Sequence, residues 1–287
     1  MQLIAKKFGC AEDTCARQSL NKFSFALDLF VSLWRDMASV VKINPAYEEF
    51  AEEIRGICSD FDARGETIYS GRNTLKRFEL SDGTAVVVKR FGHLNSLRRL
   101  IYSTVASSKA QRSYTNGMQF LKLGFKTPEP VAYINIYKSG LLSDSYYVAL
   151  HSDAKSLFPV LVDSERFSPE LADRVAQFMA ELHAAGAVHG DPNLSNILYE
   201  RRDDGTVELS IIDINRSYFK RHISYRRRMK NLMRVTHRRD LMRHIAGRYA
   251  ELTGLDPLAT VDRIFALLAR FERNRRLRHK LKSIFIR

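Results

Sequence analysis

The run from Leu182 to Leu198 limits the possible folds of this 287-residue chain more than any other segment. Apolar residues spaced three and four apart over Pro169–Ala185 predict a helix, and the glycine that follows is a common helix stop. A short loop then presents Asp191, and Asn196 follows five residues later, directly before an apolar pair. The segment therefore predicts a helix, a polar loop and a strand in close succession.

Asp191 and Asn196 have a spacing that suits the transfer of a phosphoryl group. The metaphosphate-like transition state leaves little covalent chemistry to the protein, so a carboxylate must orient the attacking hydroxyl while an amide oxygen helps to hold the metal. We predict Asp191 to be the catalytic base and Asn196 to be a metal ligand. The alternative is an ordinary loop in which Asp, Asn and Pro form turns. The fixed spacing, with a strand directly after Asn196, favours the catalytic interpretation.

A second carboxylate closes the next apolar run. Residues Val207–Ile212 follow the turn Asp203–Gly205 and end at Asp213. A magnesium ligand that bridges the β- and γ-phosphates belongs at such a strand end, one hairpin beyond the loop with the base. Alone, an acid at the end of a strand is most often a turn residue. The preceding loop favours the interpretation of Asp213 as a metal ligand.

Two further segments are candidates for contact with phosphates. Lys89 ends the run Val86–Val88 and is similar to the strand lysine that contacts α- and β-phosphates, although a single lysine there is more often simply exposed. Gly71, Arg72 and Asn73 form a turn whose amides could cover the phosphates. An ordinary hairpin turn has the same composition. We assign all four residues to cofactor binding, and Lys89 also to catalysis.

The residues before the loop alternate between short β-rich runs and one helical stretch. The pair Asp82-Gly83 between two such runs predicts a hairpin. Residues 95–123 have a helical pattern, and Thr127–Pro130 would stop the helix. Strands are predicted near residues 67–69, 75–80, 84–89, 131–136 and 146–150. A small lobe with an antiparallel sheet is therefore expected before a larger, mostly helical and basic lobe.

These residues resemble the Kdo/WaaP lipopolysaccharide kinases within the protein-kinase superfamily, which phosphorylate inner-core sugars of bacterial lipopolysaccharide. The likeness covers about residues 43–239. Beyond the catalytic loop, it rests on Gly65–Asn73, Lys126–Pro130 and Ile212–Arg216. It implies an α+β, two-lobed protein-kinase-like fold that uses ATP and Mg²⁺, with Mn²⁺ as an alternative metal. It also implies transfer of the γ-phosphoryl group to a hydroxyl of Kdo or heptose.

The same resemblance implies how the chain is divided into lobes. Residues 43–150 would form the N-lobe and residues 151–287 the C-lobe. Residues 1–42 are predicted to be a leader. This leader is either a docking helix or a non-native extension, the latter if translation starts at Met37.

One feature departs from the kinase pattern. Kinases pair the strand lysine with a glutamate on the following helix, but residues 93–128 contain neither Asp nor Glu. Thr115 and Asn116 occupy the expected region. Either a polar residue such as Asn116 orients Lys89, or a carboxylate arrives from elsewhere, with Glu129 as a candidate, or the protein is a weakened or inactive kinase.

The positive charge is concentrated in the last third of the chain. The formal net charge is +14, yet segments 216–248 and 270–287 together carry +18, which leaves about −4 for the remainder. Such confinement predicts a polyanionic partner rather than a face that only aids solubility. We expect lipopolysaccharide core glycolipid as this partner, with peripheral contact to the inner leaflet of the cytoplasmic membrane. The predicted contacts are Arg216, Arg226, Arg227 and Arg228.

Several other classes of protein and partner are disfavoured. Nucleic acid is a weaker candidate because the basic segments hold few aromatic side chains for base stacking. Three cysteines without paired spacing predict neither a disulfide framework nor a zinc site, and a reducing cytoplasm fits them best. No apolar run reaches the length of a membrane span. The rival functions are a protein Ser/Thr kinase and a non-catalytic pseudokinase that binds anionic glycolipid or RNA.

Overall fold

The structure is a computed structural model that describes residues 39–92 and 107–285, with side chains described as far as residue 277. Most of the predicted leader, residues 1–38, lies outside the described residues. The beginning of the predicted helix at residues 95–106 lies outside them as well. The first described strand begins at Ser39, four residues before the predicted start of the N-lobe.

In the described part of the chain, six strands form one antiparallel sheet in the order β1-β5-β6-β4-β3-β2. They are β1 Ser39–Ile43, β2 Glu66–Ser70, β3 Thr74–Glu79, β4 Ala85–Arg90, β5 Pro130–Lys138 and β6 Leu141–Leu150. The predicted hairpin joins β3 to β4: Gly83 has a φ of +87°, and the Asp82 carboxylate accepts a hydrogen bond from the Thr84 amide at 2.8 Å. This geometry explains the Asp-Gly pair at the turn.

Alternation along β4 divides its side chains between the two faces of the sheet. Val86 and Val88 are fully buried in a core that includes Ile54 and other side chains of helix α1 (Ala51–Ser59). Burial of each such side chain contributes about 1.5–3 kcal/mol. The opposite face carries Lys89 into a large cavity. A hydrophobic strand with a lysine near its end thus places that lysine in the cavity.

Apart from α1, the described helices pack mostly around a second hydrophobic core, separate from the core of the sheet. They are α2 Lys109–Lys122, α3 Pro169–Ala184, α4 Tyr225–Leu232, α5 Arg239–Leu252 and α6 Pro257–Phe285. Short strands accompany them: β7 Lys155–Ser156, β8 Ala187–Val188, β9 Ile197–Arg201, β10 Val207–Ile211 and β11 Tyr218–Phe219. The buried apolar face of α3 includes Phe178, Met179 and Leu182, which form one cluster with Tyr249 of α5. The spacing of three and four on α3 therefore marks this core, as predicted.

Helix α2 connects the sheet to the helical core. Ser108 caps its first turn, because the Ser108 hydroxyl accepts a hydrogen bond from the Gln111 amide at 3.0 Å. The Tyr114 ring packs edge-on against Tyr133 of β5, with 5.6 Å between the ring centroids. The Phe120 ring packs against Phe219 of β11, with 4.9 Å between the centroids. The helix is thereby fixed against both parts of the molecule.

Some local structure had no readable signal in the sequence. A π-helical turn at Pro159–Asp163 is too short to show a periodic pattern. Its end is held by Arg238, whose guanidinium donates to the carbonyls of Leu161 at 3.2 Å and Glu165 at 3.0 Å. Part of the basic segment thus has an internal structural role.

Helix α6 is long but strongly basic. It runs for 29 residues, and its second half is rich in arginine. None of the helices in the described residues joins sufficient length to the apolar character that a membrane crossing needs.

Candidate active site

A cavity of about 670 Å³ lies between the sheet and the helical part. Four of the residues predicted from the sequence to bind cofactor or metal line it: Asn73, Lys89, Asn196 and Asp213. Its apolar lining comes from both parts of the fold. The sheet contributes Leu75, Val87, Ala149 and Leu150, and β9 contributes Leu198. The structure therefore brings together residues that are distant in the chain, such as Lys89 and Asp213, which are 124 positions apart.

The loop that carries Asp191 is anchored by a buried histidine. The His189 ring, 0% exposed, donates from Nε2 to the Ile212 carbonyl at 2.9 Å and accepts the Asp191 amide at Nδ1 at 3.0 Å. Burial lowers the pKa of His189, which keeps the ring neutral for these two opposite roles. Asn196 Nδ2 donates to the Asp191 carbonyl at 2.9 Å. With its backbone held on both sides, Asp191 projects a carboxylate that remains 36% exposed.

Lys89 and Asp213 form the charged floor of the cavity. Lys89 Nζ donates to Asp213 Oδ1 at 2.6 Å, and Asn215 Nδ2 donates to the same oxygen at 2.8 Å. Burial acts to raise the pKa of Asp213, but the adjacent Lys89 ammonium outweighs this effect, and the pKa is lowered. Asp213 also has a left-handed backbone, with φ of +56°, an uncommon conformation that is often found at functional sites.

This contact supplies a carboxylate partner for Lys89 that helix α2 lacks. The carboxylate that pairs with Lys89 is Asp213 itself. Asn116 instead donates to the carbonyls of Ile214 at 2.8 Å and Ser217 at 3.1 Å. The Glu129 carboxylate accepts from Asn44 at 3.2 Å. Neither of the two candidates from the sequence orients Lys89.

The predicted phosphate turn only partly reaches the cavity. Of its three residues, Asn73 lines the cavity, whereas Gly71 and Arg72 do not. The Asn73 side chain accepts the Gly92 amide at 3.2 Å, and a Cβ on Gly92 would lie 1.7 Å from the Arg72 carbonyl oxygen. The turn is therefore packed tightly against the end of β4.

Arg216 lies next to the predicted base. Its Nη1 atom is 3.9 Å from Asp191 Oδ2. The two loops approach so closely that a Cβ on Gly190 would lie 2.3 Å from the Arg216 carbonyl oxygen, so only glycine fits there. The structure thus places this predicted acceptor contact beside the carboxylate that would act on the acceptor.

The three consecutive arginines of α4 have different surroundings. Arg226 and Arg227 are exposed, whereas Arg228 is half-buried and hydrogen-bonds Tyr249. Arg227 lines a second cavity, of about 430 Å³, which also reaches Gly190. The sequence treated the three residues as one patch, but the helix turns them toward different surroundings.

A buried chain of hydrogen bonds, absent from the sequence predictions, supports the catalytic loop. His183 contacts the Tyr249 hydroxyl at 2.9 Å and Asn231 Oδ1 at 3.0 Å, and Asn231 Nδ2 donates to the His189 carbonyl at 2.6 Å. Helices α3, α4 and α5 are thereby linked to the loop that presents Asp191. The usable signal was His183, a polar residue at an apolar position of α3.

This network predicts an acid-sensitive fold. Burial, together with the nearby Arg228 charge, lowers the pKa of His183 to about 4, against about 6.5 in an unfolded chain. Because the folded state resists protonation, stability is complete above pH 6.5 and falls as pH drops toward 4, by on the order of 3 kcal/mol. We expect His183→Gln to lose less stability than wild type between pH 7 and 5 in urea unfolding. An unchanged pH dependence, equal to that of the exposed control His222→Gln, would contradict the assignment.

The two bonds from Asn116 also give a testable effect. Asn116→Ala leaves the carbonyls of Ile214 and Ser217 without these donors, so we expect the free energy of unfolding to fall by about 1–3 kcal/mol. Thr115→Ala is a matched control, because Thr115 is the exposed neighbour on the same helix. Chemical denaturation measures both. Equal stability of the two variants would remove Asn116 from the support of the Asp213 loop.

Comparison with solved structures agrees with the predicted fold. The structure described as WaaP in complex with acyl carrier protein matches with a TM-score of 0.55 and 17% sequence identity, over 82% of this chain and 97% of that chain. The Rio2 kinase-ADP/Mg²⁺-phosphoaspartate complex from Chaetomium thermophilum matches with a TM-score of 0.40 and 16% identity, over 77% and 75% of the two chains. The match to the WaaP structure, together with the antiparallel sheet and the helical core, confirms the predicted two-lobed, α+β protein-kinase-like fold.

Sequence comparison identifies the family. No curated protein matches this chain. The family model described as lipopolysaccharide kinase (Kdo/WaaP) matches residues 73–253, a range that includes the loop of Asp191 and the ion pair of Lys89 with Asp213. The chain therefore belongs to the lipopolysaccharide kinase (Kdo/WaaP) family, a family of phosphotransferases.

Proposed function

We propose that this protein is an ATP-dependent kinase that transfers the γ-phosphoryl group to a hydroxyl of Kdo or heptose in the lipopolysaccharide inner core. The observation that carries the proposal is the 2.6 Å contact of Lys89 with Asp213 in a cavity that Asn196 also lines. Membership of the family supports the substrate class. The role of each residue follows from its position.

The cavity suits a nucleotide in size and lining. Its volume of about 670 Å³ lies within the usual range of ligand sites, about 300–1,000 Å³. Apolar side chains such as Val87 and Ala149 would hold the adenine ring of ATP, while Lys89 would contact its phosphates. Asn73, from the β2–β3 turn, lines the same cavity and would contact the phosphates.

The donor set of Asn196 and Asp213 fits a magnesium or manganese ion. Oδ1 of Asp213 is occupied by Lys89 and Asn215, which leaves Oδ2 for a cation. Asn196 donates from Nδ2 to the Asp191 carbonyl, which leaves its side-chain oxygen, Oδ1, for the cation. The described residues hold no cluster of three or more His, Cys, Asp or Glu, so most ligands would come from phosphates and water. When bound, the ion would neutralise charge on the phosphates.

Asp191 would act on the acceptor hydroxyl. Its carboxylate would take the hydroxyl proton as the oxygen bonds to the γ-phosphorus, and ADP would leave with the electrons of the broken bond. Arg216, 3.9 Å from this carboxylate, would hold the phosphoryl group or the acceptor near it. The 36% exposure of the Asp191 side chain leaves room for a saccharide to approach.

The basic helices would contact the rest of the glycolipid. Segments 216–248 and 270–287 together carry a net charge of +18, and the exposed Arg226 and Arg227 of α4 are available to anionic groups. We propose that this surface also meets the anionic inner leaflet of the cytoplasmic membrane, as a peripheral contact.

The proposal is tested by mass spectrometry of lipopolysaccharide from a strain that lacks the gene. We expect the inner core to lose one phosphate, and we expect the wild-type gene, but not Asp191→Asn, to restore it. An unchanged core would contradict the proposed substrate. If phosphate is instead lost from a protein hydroxyl, the enzyme is a protein kinase.

A further inference from the structure

A second cavity, of about 430 Å³, lies beside the catalytic loop and is strongly basic. Helices α4 and α6 and the start of the loop enclose it. Four cationic side chains, Arg227, Lys230, Arg234 and Arg270, belong to its lining, and none of the described residues that line it is acidic.

Several arginines elsewhere in the described residues have carboxylate partners, which the cations of this cavity lack. Arg201 pairs with Glu170, Arg238 with Asp240 and Arg248 with Glu251. Within the described residues, by contrast, Arg227, Lys230 and Arg270 form no ion pair. Like charges in one concave site repel each other, and a bound anion relieves that repulsion.

The spacing of the cations follows from the helices. Arg227 and Lys230 lie three residues apart on one face of α4, and Arg270 comes from the facing helix α6. Arg234, just beyond α4, donates from Nη1 to the Gly190 carbonyl at 2.8 Å. The basic cavity is therefore tied directly to the residue before the catalytic base.

The two cavities are lined by neighbouring residues of the loop that carries Asp191. Gly190 lines the basic cavity, Ser195 and Asn196 line the large cavity, and Asp191 lies between them in the chain. A molecule held in the basic cavity would thus lie next to Gly190, the residue before Asp191, while the nucleotide would lie next to Asn196. Tyr218, 37% exposed, adds an aromatic ring to the same lining, suited to the apolar face of a sugar.

We propose that the basic cavity binds an anionic group, a phosphate ester or a sugar carboxylate, that the acceptor saccharide already carries, and so places a neighbouring hydroxyl at Asp191. The guanidinium forks of Arg227 and Arg270 match both kinds of oxyanion. This inference rests on the proposed function, because it identifies the part of the acceptor that is recognised. It also orders the reactions: the transfer that adds the acidic sugar or the earlier phosphate must precede this one.

The test uses the full-length protein and inner-core oligosaccharide released from lipopolysaccharide. Arg227→Ala and Arg270→Ala are compared with Arg263→Ala, an exposed arginine of α6 that does not line the cavity. We expect the first two to raise KM for the oligosaccharide about 10- to 100-fold, with kcat and KM for ATP nearly unchanged. Equal KM values in all three variants would overturn the inference. Arg227→Lys keeps the charge without the fork and should lie between wild type and Arg227→Ala.

Chemical treatment of the oligosaccharide distinguishes the two anions. If the bound group is a phosphate, removal of phosphate with hydrofluoric acid should raise the wild-type KM and abolish the difference from Arg227→Ala. If it is a carboxylate, amidation with a carbodiimide should do so. An acceptor that lacks both anions and still binds as tightly as the untreated one contradicts the proposal.

A binding measurement separates this inference from the proposed function. Calorimetric titration with the untreated oligosaccharide requires no transfer. If wild type binds it more tightly than Arg227→Ala but never phosphorylates it, the proposed function fails and the anion site stands. If transfer occurs while the variants bind as wild type does, the anion site fails and the proposed function stands.

Discussion

Replacing Asp191 by asparagine is expected to lower the rate of phosphoryl transfer by about 10²- to 10⁴-fold, the usual contribution of a positioned general base. The substitution keeps the shape of the side chain and the backbone hydrogen bonds to His189 and Asn196. Because Asp191 lies beside the large cavity rather than in its lining, the dissociation constant for ATP should not change. Steady-state transfer assays and nucleotide titration measure the two quantities.

The control for this variant is Asp203→Asn, the same chemical change in an exposed hairpin turn. It should leave both transfer and nucleotide affinity unaltered. A rate for Asp191→Asn within a few-fold of wild type would show that another group accepts the proton. A parallel loss of ATP affinity would show that the loop, rather than the base, had been damaged.

The second large effect is expected at Asp213. Asp213→Asn removes the charge that pairs with Lys89 and that would bind the cation. Transfer should fall by at least about 10²-fold, as when a preorganised electrostatic contact is removed. Nucleotide affinity should also become nearly independent of Mg²⁺ or Mn²⁺, because the carboxylate ligand is lost.

Titration of ATP with and without metal measures this dependence directly. Wild type should bind the nucleotide more tightly with metal, and Asp203→Asn again provides the matched control. If Asp213→Asn keeps the full metal dependence, Asp213 is not the metal ligand. The contact with Lys89 would then be only structural.

The sequence was most informative where a local pattern carries the chemistry. Neighbouring residues alone give the spacing of Asp191 and Asn196 and the position of Asp213 at a strand end. The structure places Asn196 and Asp213 in one cavity. The β-rich run that ends at Lys89 predicted a strand, and Lys89 faces the cavity because successive side chains of a strand point to opposite faces. These features need no knowledge of distant contacts.

Other features depend on packing between distant segments. The partner of Lys89 lies 124 residues away, and no periodicity could show that Asp213, rather than Asn116 or Glu129, contacts this lysine. The link from Asn231 to His189 spans 42 residues and required knowledge of how α4 packs. The predicted leader, residues 1–42, falls almost entirely outside the described residues.

The basic segments illustrate both cases. Composition predicted a polyanionic partner, and Arg227 does line an open cavity. However, Arg238 holds the end of a π-helical turn, and Arg228 hydrogen-bonds the buried Tyr249. Charge counted along a sequence does not separate arginines that face solvent from arginines that support the core.

The most direct test of the proposed activity is transfer of labelled phosphate from [γ-³²P]ATP to purified lipopolysaccharide by the purified protein with Mg²⁺. We expect wild type to place the label on an inner-core sugar, and we expect Asp191→Asn to place almost none. A wild-type protein that binds ATP but labels no core sugar, with either Mg²⁺ or Mn²⁺, would contradict the assignment of this chain as a lipopolysaccharide core kinase.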